Sequence, residues 1–115
     1  MRPIIQKQGK SKRGVWTKAQ KDYADRCCEF GCFWCWITKR IEGTPGQYHH
    51  QSEDYNGLGM RAPHHMGMCL CPAHHDESEE SVHLAPKRVK MLTGYTESEL
   101  VLSSQEKFGW IGNAS

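Results

Sequence analysis

Long apolar runs are missing from this chain. No stretch reaches the roughly 20 consecutive apolar residues that a membrane-spanning helix needs, and no apolar signal-peptide core follows Met1. We therefore expect a cytoplasmic protein with no membrane partner. Hydrophobic residues make up only 37% of the 115, a content that suits one small domain with a modest core and an additional source of stability.

Disulfide bonds are one such source, but they need an oxidising compartment, and the absence of a signal peptide argues against one. The chain has seven histidines besides its six cysteines. Thiolates interleaved with imidazoles at short spacings are typical of metal sites rather than of cross-links. A bound metal in a reducing compartment is the favoured interpretation, and a secreted disulfide framework is the alternative.

Acidic residues are scarce near the N-terminus. Residues 1–26 hold 8 Lys and Arg against 2 Asp, a net charge of +6, whereas the rest of the chain carries −4. We expect residues 1–15 to form a flexible basic arm ahead of a single domain at 16–112. Such an arm suits contact with phosphate backbones, and the alternative is a solvated tail without a partner. The candidate DNA contacts in the arm are Lys10, Lys12 and Arg13.

Four Cys and His residues have the spacing of a tetrahedral zinc site. Two residues separate Cys32 from Cys35, and two separate Cys71 from His74. Zinc sites are commonly built from such close pairs. Cys69 competes with Cys71 because alternate strand residues share a face, but Cys71 has the better local spacing to His74. The sequence therefore predicts a structural zinc ion held by Cys32, Cys35, Cys71 and His74.

Further histidines remain outside this zinc shell. His75 follows His74, and neighbours on an α-helix point about 100° apart, so the two should serve different sites. His49 and His50 are also adjacent, and both reach one site only if their strand frays or twists there. This surplus predicts a second, open and chemically active metal site. His83, beyond His75 in the chain, is a candidate further ligand.

Capping and periodicity signals indicate a small α+β fold. The predicted elements are a helix at 17–30 stopped by Gly31, a strand ending near His49, a strand at 66–70, a helix opening at Pro72, and a last helix from Thr96 to before Gly109. We expect Cys27 and Cys28, on the first helix, to be buried free thiols. The chain shows no internal repeat.

Together these motifs resemble the HNH, or ββα-metal, nuclease family, and most closely its RecA-dependent nuclease-like (Ref-like) phage and prophage branch. The resemblance covers about residues 17–109. It implies a zinc-stabilised, treble-clef-like ββα-metal core flanked by N- and C-terminal helices. The residues that carry it are Cys32-x-x-Cys35, His49-His50, Leu70-Cys71-x-x-His74-His75, Gly57-Leu58-Gly59-Met60-Arg61-Ala62 and Lys107-Phe108-Gly109.

The resemblance also implies a metal-dependent endonuclease that hydrolyses DNA in phage recombination or DNA processing, inside a bacterial host, with DNA and a recombinase filament as partners. Carried over by motif position, His49 and His75 bind a catalytic Mg²⁺, Mn²⁺ or Zn²⁺ ion, and His50 is the general base. Arg61 is a candidate phosphate clamp, and the alternative is a surface or structural arginine. The middle Asn of the family has no clear counterpart, and His65 in that region either orients the site or has no role.

The alternative function is that of a treble-clef module that binds zinc and holds nucleic acid or protein without catalysis. Such a module would use the same four zinc ligands, but it has no need for His49, His50 and His75 to converge. A zinc deaminase is disfavoured, because no His-x-Glu precedes a Pro-Cys-x-x-Cys in this chain. The placement of the surplus histidines therefore discriminates between the two leading functions.

Overall fold

The computed structural model describes residues 15–52, 55, 61–78, 81–82 and 86–110. These residues form a small α+β fold around a two-stranded antiparallel sheet. In chain order the elements are α1 (Lys18–Phe30), α2 (Phe33–Lys39), β1 (Gln47–His50), β2 (Gly67–Leu70), a π-helical segment (Ala73–Glu77), a 3-10 turn (Pro86–Arg88), α3 (Val89–Thr93) and α4 (Glu97–Phe108). No helix among them is long and apolar enough to cross a membrane. Outside the described residues lie Lys10, Lys12, Arg13 and His83.

Two of the helices begin at the capping boxes that the sequence predicts. Thr17 Oγ1 accepts the Gln20 N–H at 3.1 Å, and the Gln20 side chain accepts the Thr17 N–H at 2.9 Å. Thr96 and Glu99 form the same pair of bonds, at 3.1 and 2.9 Å, at the start of α4. Each box satisfies N–H groups that have no partner inside the helix. The second box also fixes the position of Glu97, which directly follows the cap.

Gly31 ends α1, as predicted, and turns the chain into the first cysteine pair. Its φ is +110°, and a Cβ at this position would lie 2.8 Å from the backbone nitrogen of Thr44. A side chain here would therefore strain the backbone and collide with the next loop. The Cys32 N–H then donates to the Thr44 carbonyl at 2.9 Å, and Cys32 caps α2. The sequence did not predict α2, because seven residues are too few for a clear helical period.

The second strand lies at the centre of the fold, and all four of its residues are buried. β1 pairs with it so that His49 lies opposite Met68 and His50 lies opposite Gly67. Helices α1, α2 and α4 all contact β2. The zinc-site cysteines are part of the main core, which consists of Cys32, Phe33, Trp34, Cys35, Met68, Leu70, Cys71, Val82, Val89, Leu100 and Val101.

A smaller cluster packs on the α1 side of β2 and contains Tyr23, Cys27 and Cys69, with the half-buried Cys28 against it. Cys27 is a buried free thiol, as predicted. Burial raises the pKa of the Cys27 thiol to about 11, so this sulfur stays protonated at neutral pH. This cluster lies apart from the predicted zinc ligands and serves packing.

Tyr23 joins α1 to β2 and α4. Its fully buried hydroxyl donates to the Gly67 carbonyl at 2.9 Å and lies 2.8 Å from Ser104 Oγ. Burial raises the pKa of this phenol above its ordinary value. The hydroxyl therefore satisfies buried polar groups on two neighbouring elements.

We expect Tyr23→Phe to lower the free energy of unfolding by about 1–3 kcal/mol, because buried partners lose a hydrogen bond. Urea unfolding of the zinc-loaded protein measures the change. Tyr95→Phe, at a 43% exposed tyrosine, is the matched control and should change stability by less than about 0.5 kcal/mol. Equal effects of the two substitutions would contradict the role given to the Tyr23 hydroxyl.

Candidate metal centre

The four predicted zinc ligands come together. One donor atom from each of Cys32, Cys35, Cys71 and His74 lies within 4.8 Å of all the others. His74 Nδ1 is 3.7, 3.6 and 3.4 Å from the sulfurs of Cys32, Cys35 and Cys71. Tetrahedral zinc, with bonds of about 2.3 Å to sulfur and 2.0–2.1 Å to nitrogen, separates these atoms by about 3.6 Å. The donor set and its dimensions therefore fit a closed zinc site.

Two backbone turns present the cysteine and histidine pairs. On the α2 side, Cys32 is the N-cap and its sulfur accepts the Cys35 N–H at 3.4 Å. On the other side, the Cys71 carbonyl accepts N–H bonds from His74 at 3.1 Å and from His75 at 2.9 Å. This second turn leads into the π-helical segment, where the sequence predicts a longer helix from Pro72. It brings the His74 ring back over Cys71.

The His74 ring is held in place by an aromatic stack. Trp34, which is 2% exposed, lies parallel to it at a centroid distance of 4.7 Å and an interplanar angle of 3°. Because Trp34 belongs to α2 and lies between the two ligand cysteines of that helix, packing and metal binding reinforce each other. The stack restricts the orientation of the His74 ring.

Burial raises the pKa of the Cys32 thiol to about 12. In the metal-free protein this sulfur is therefore protonated at neutral pH. Zinc binds the thiolate form, so binding releases a proton from Cys32. The low polarity that disfavours a bare thiolate here also strengthens its attraction to a divalent cation.

The structure resolves the competition between Cys69 and Cys71. Cys69 belongs to the small cluster with Tyr23 and Cys27, and its thiol is hydrogen-bonded to that of Cys28. Cys71 lies beyond the last residue of β2, so strand alternation no longer dictates where its side chain points. Cys71 is therefore the residue that completes the cluster.

His49 and His75 also come together, although only His75 is adjacent in sequence to a residue of the cysteine cluster. Their rings meet edge to face, with centroids 5.1 Å apart and planes at 70°. His49 is 3% exposed and its Nε2 is hydrogen-bonded to the carboxylate of Glu97 on α4. Ser52 donates to the same carboxylate through its N–H and its hydroxyl, each at 3.1 Å. The result is a group of two imidazoles and one carboxylate, in which His49 and Glu97 are buried and His75 is half-buried.

His50 has a separate set of neighbours. Its Nε2 lies 3.0 Å from His64 Nδ1, and its ring contacts Tyr48 at a centroid distance of 5.3 Å. Trp16 stacks on His64 at 3.9 Å. Strand alternation thus directs His49 and His50 to opposite faces of β1, and the structure does not bring His50 together with His49 and His75.

The other predicted residues of this region lie at its edges. His65 is 4% exposed and stacks on Trp110 at 4.7 Å, and burial lowers the pKa of its imidazole. Its contacts are those of a core residue, and it is His64 that touches His50. Arg61 is exposed, which leaves it accessible to a phosphate.

Sequence reasoning missed Glu97, Ser52 and His64. Glu97 is 48 residues from His49, and at the first turn of α4 its carboxylate is indistinguishable from an ordinary helix-start acid. Ser52 follows a strand and has no motif of its own. His64 and His65 are adjacent in sequence. Only the packing in the structure shows that His64 contacts His50 and that His65 stacks on Trp110.

Serine substitutions at Cys71 and Cys69 provide a matched test of the ligand assignment. We expect Cys71→Ser to lose bound zinc and its cooperative thermal transition, because the free energy of structural zinc binding, about 10–16 kcal/mol, is comparable to the whole stability of a domain. Cys69→Ser should keep one zinc per chain. Elemental analysis and thermal unfolding measure both properties, and zinc loss in the Cys69 variant alone would reverse the assignment. The same reasoning predicts unfolding for Cys32→Ser.

A comparison with protein-family models finds no match, and no curated protein matches the chain. The arrangement of side chains therefore carries the functional inference. It consists of a closed cluster of three cysteines and one histidine, and a pair of histidines with a buried carboxylate.

Proposed function

We propose that this protein is a zinc-stabilised, HNH-like endonuclease that hydrolyses DNA phosphodiester bonds with a second divalent ion. The observation that carries the proposal is the contact between the rings of His49 and His75, 5.1 Å apart. A structural zinc module has no use for a second imidazole pair. A hydrolase does, because two imidazoles bind an ion and leave most of its coordination positions open to water and substrate.

In this proposal two adjacent residues, His74 and His75, belong to different metal sites. His74 lies within 3.7 Å of all three cysteine sulfurs, whereas His75 faces His49 on β1. The closed cluster would hold zinc and fix the π-helical segment, and that segment in turn places His75. His49 and His75 would hold Mg²⁺, Mn²⁺ or Zn²⁺. A divalent ion bound there supplies Lewis acidity to the scissile phosphate and the leaving oxygen.

His50 is the proposed general base. The hydrogen bond between His50 Nε2 and His64 Nδ1, and the stacking of Trp16 on His64, restrict rotation of its ring. A histidine imidazole can accept a proton from an attacking water as a general base. In this proposal His50 takes the proton of the attacking water, and the basic arm and Arg61 bind the DNA backbone.

The proposed setting is phage recombination or DNA processing in the host cytoplasm, with a recombinase filament as a candidate partner. One specific observation favours the second candidate function, a non-catalytic zinc module that binds nucleic acid or protein. His50 contacts Tyr48 and His64 rather than the group that contains His49 and His75. The module therefore stays in competition with the nuclease until cleavage is tested.

Single alanine substitutions separate the roles. We expect His50→Ala to keep one zinc and a normal thermal transition but to lower nicking of supercoiled plasmid by about 10²–10⁴-fold, the usual contribution of a general base. His49→Ala and His75→Ala should lose nicking because they lose the second ion. Plasmid and single-strand cleavage in Mg²⁺ or Mn²⁺, with zinc content measured in parallel, is the assay.

Undiminished nicking by the His50 variant would refute the base assignment. Absence of cleavage by the zinc-loaded wild-type protein on either substrate, with either ion, would refute the nuclease proposal and favour the binding module.

A further inference from the structure

Glu97 is a buried carboxylate that neither the zinc shell nor the proposed base requires. It belongs to α4, outside the elements that carry His49 and His75, and it is 5% exposed. His49 Nε2 and the Ser52 N–H both bond Oε2, the latter at 3.1 Å, and the Ser52 hydroxyl bonds Oε1 at 3.1 Å. Burying a carboxylate is costly unless donors surround it in this way. Because burial of the Glu97 carboxylate is costly, its contacts with His49 and Ser52 point to its role.

The contacts of Glu97 favour one tautomer of His49. The Ser52 backbone N–H can only donate, so Oε2 is an acceptor. If Glu97 is ionised, the hydrogen bond to the same oxygen is donated by His49 Nε2. A neutral imidazole protonated at Nε2 carries its lone pair on Nδ1, and a lone pair is what a metal ion binds.

We propose that Glu97 is a positioning residue for the second metal site: its carboxylate fixes the His49 ring so that Nδ1 binds the ion shared with His75. This inference rests on the proposed function, because it assumes that ion. Metal-bound histidines commonly donate their other ring N–H to a carboxylate, which sets both tautomer and ring orientation. Here the capping box of Thr96 and Glu99 anchors the turn that carries the carboxylate.

Two substitutions at Glu97 distinguish positioning from direct metal binding. Gln keeps an oxygen that accepts the His49 N–H but is a much weaker ligand for a divalent ion, whereas Ala removes both properties. For a positioning residue, Glu97→Ala should weaken Mn²⁺ binding by about 10–100-fold and Glu97→Gln by less than about 10-fold. Glu106→Gln, at an exposed glutamate of the same helix, is the matched control and should bind Mn²⁺ as the wild type does.

The experiment uses the full chain loaded with one zinc. Mn²⁺ is titrated and free Mn²⁺ is followed by electron paramagnetic resonance. Before Mn²⁺ is added, ¹⁵N shifts of the His49 imidazole report its tautomer. This measurement uses the wild type and the Gln variant, so it tests the proposal even if the Ala variant fails to fold. We expect the wild type and the Gln variant to show His49 protonated at Nε2.

Each outcome is decisive. A wild-type His49 protonated at Nδ1, or unchanged Mn²⁺ affinity in folded Glu97→Ala, would overturn the role of Glu97 alone. A Gln variant as weak as the Ala variant would show Glu97 to be a direct ligand and would also overturn positioning. A wild-type protein that binds no second Mn²⁺ would overturn the proposed function itself.

Discussion

The convergence of three cysteines and one histidine at one point is the constraint on which the rest of this structure depends. The cluster joins the start of α2, the end of β2 and the π-helical segment, and it adds to the contacts that α2 and this segment make with β2. A two-stranded sheet is marginal by itself, and a domain of this size has a limited core. A zinc ion bound at the cluster would therefore contribute directly to the free energy of folding.

The contact between His49 and His75 depends on the same framework as the cysteine cluster. His75 directly follows His74, so the turn that brings His74 to the three cysteines also places His75. His49 lies on β1, and its pairing with β2 connects it to the same framework. Glu97 arrives from a third direction, on a helix that packs on β2. The arrangement separates the cysteine cluster, which stabilises the fold, from the histidine pair, where chemistry is proposed. His74 belongs to the first group and the adjacent His75 belongs to the second.

Local sequence signals predicted the parts of this structure that are set locally. The capping boxes at Thr17 and Thr96 and the stop at Gly31 were predicted, because each depends on residues within one turn of chain. The two halves of the Cys/His cluster, Cys32 with Cys35 and Cys71 with His74, were predicted from their close spacing. The short α2 and the π-helical form of the segment after Pro72 were not predicted, because they depend on packing rather than on a periodic pattern.

The contacts between distant residues were beyond local reasoning. Glu97 meets His49 only because α4 packs against the sheet, and nothing in the spacing of the chain indicates which of several acidic residues would do so. The same holds for His64, whose contact with His50 depends on the loop before β2. Strand alternation, in contrast, predicted that His49 and His50 point to opposite faces of β1, as the structure shows.

The most direct test of the two-site division is a crystal structure of the protein soaked in Mn²⁺, with anomalous diffraction recorded at the zinc and manganese edges. The ligand assignments predict a zinc peak between Cys32, Cys35, Cys71 and His74, and a separate manganese peak against His49 and His75. A single peak at the cysteine cluster, with no manganese near the histidine pair, would contradict the division into a structural and a catalytic ion.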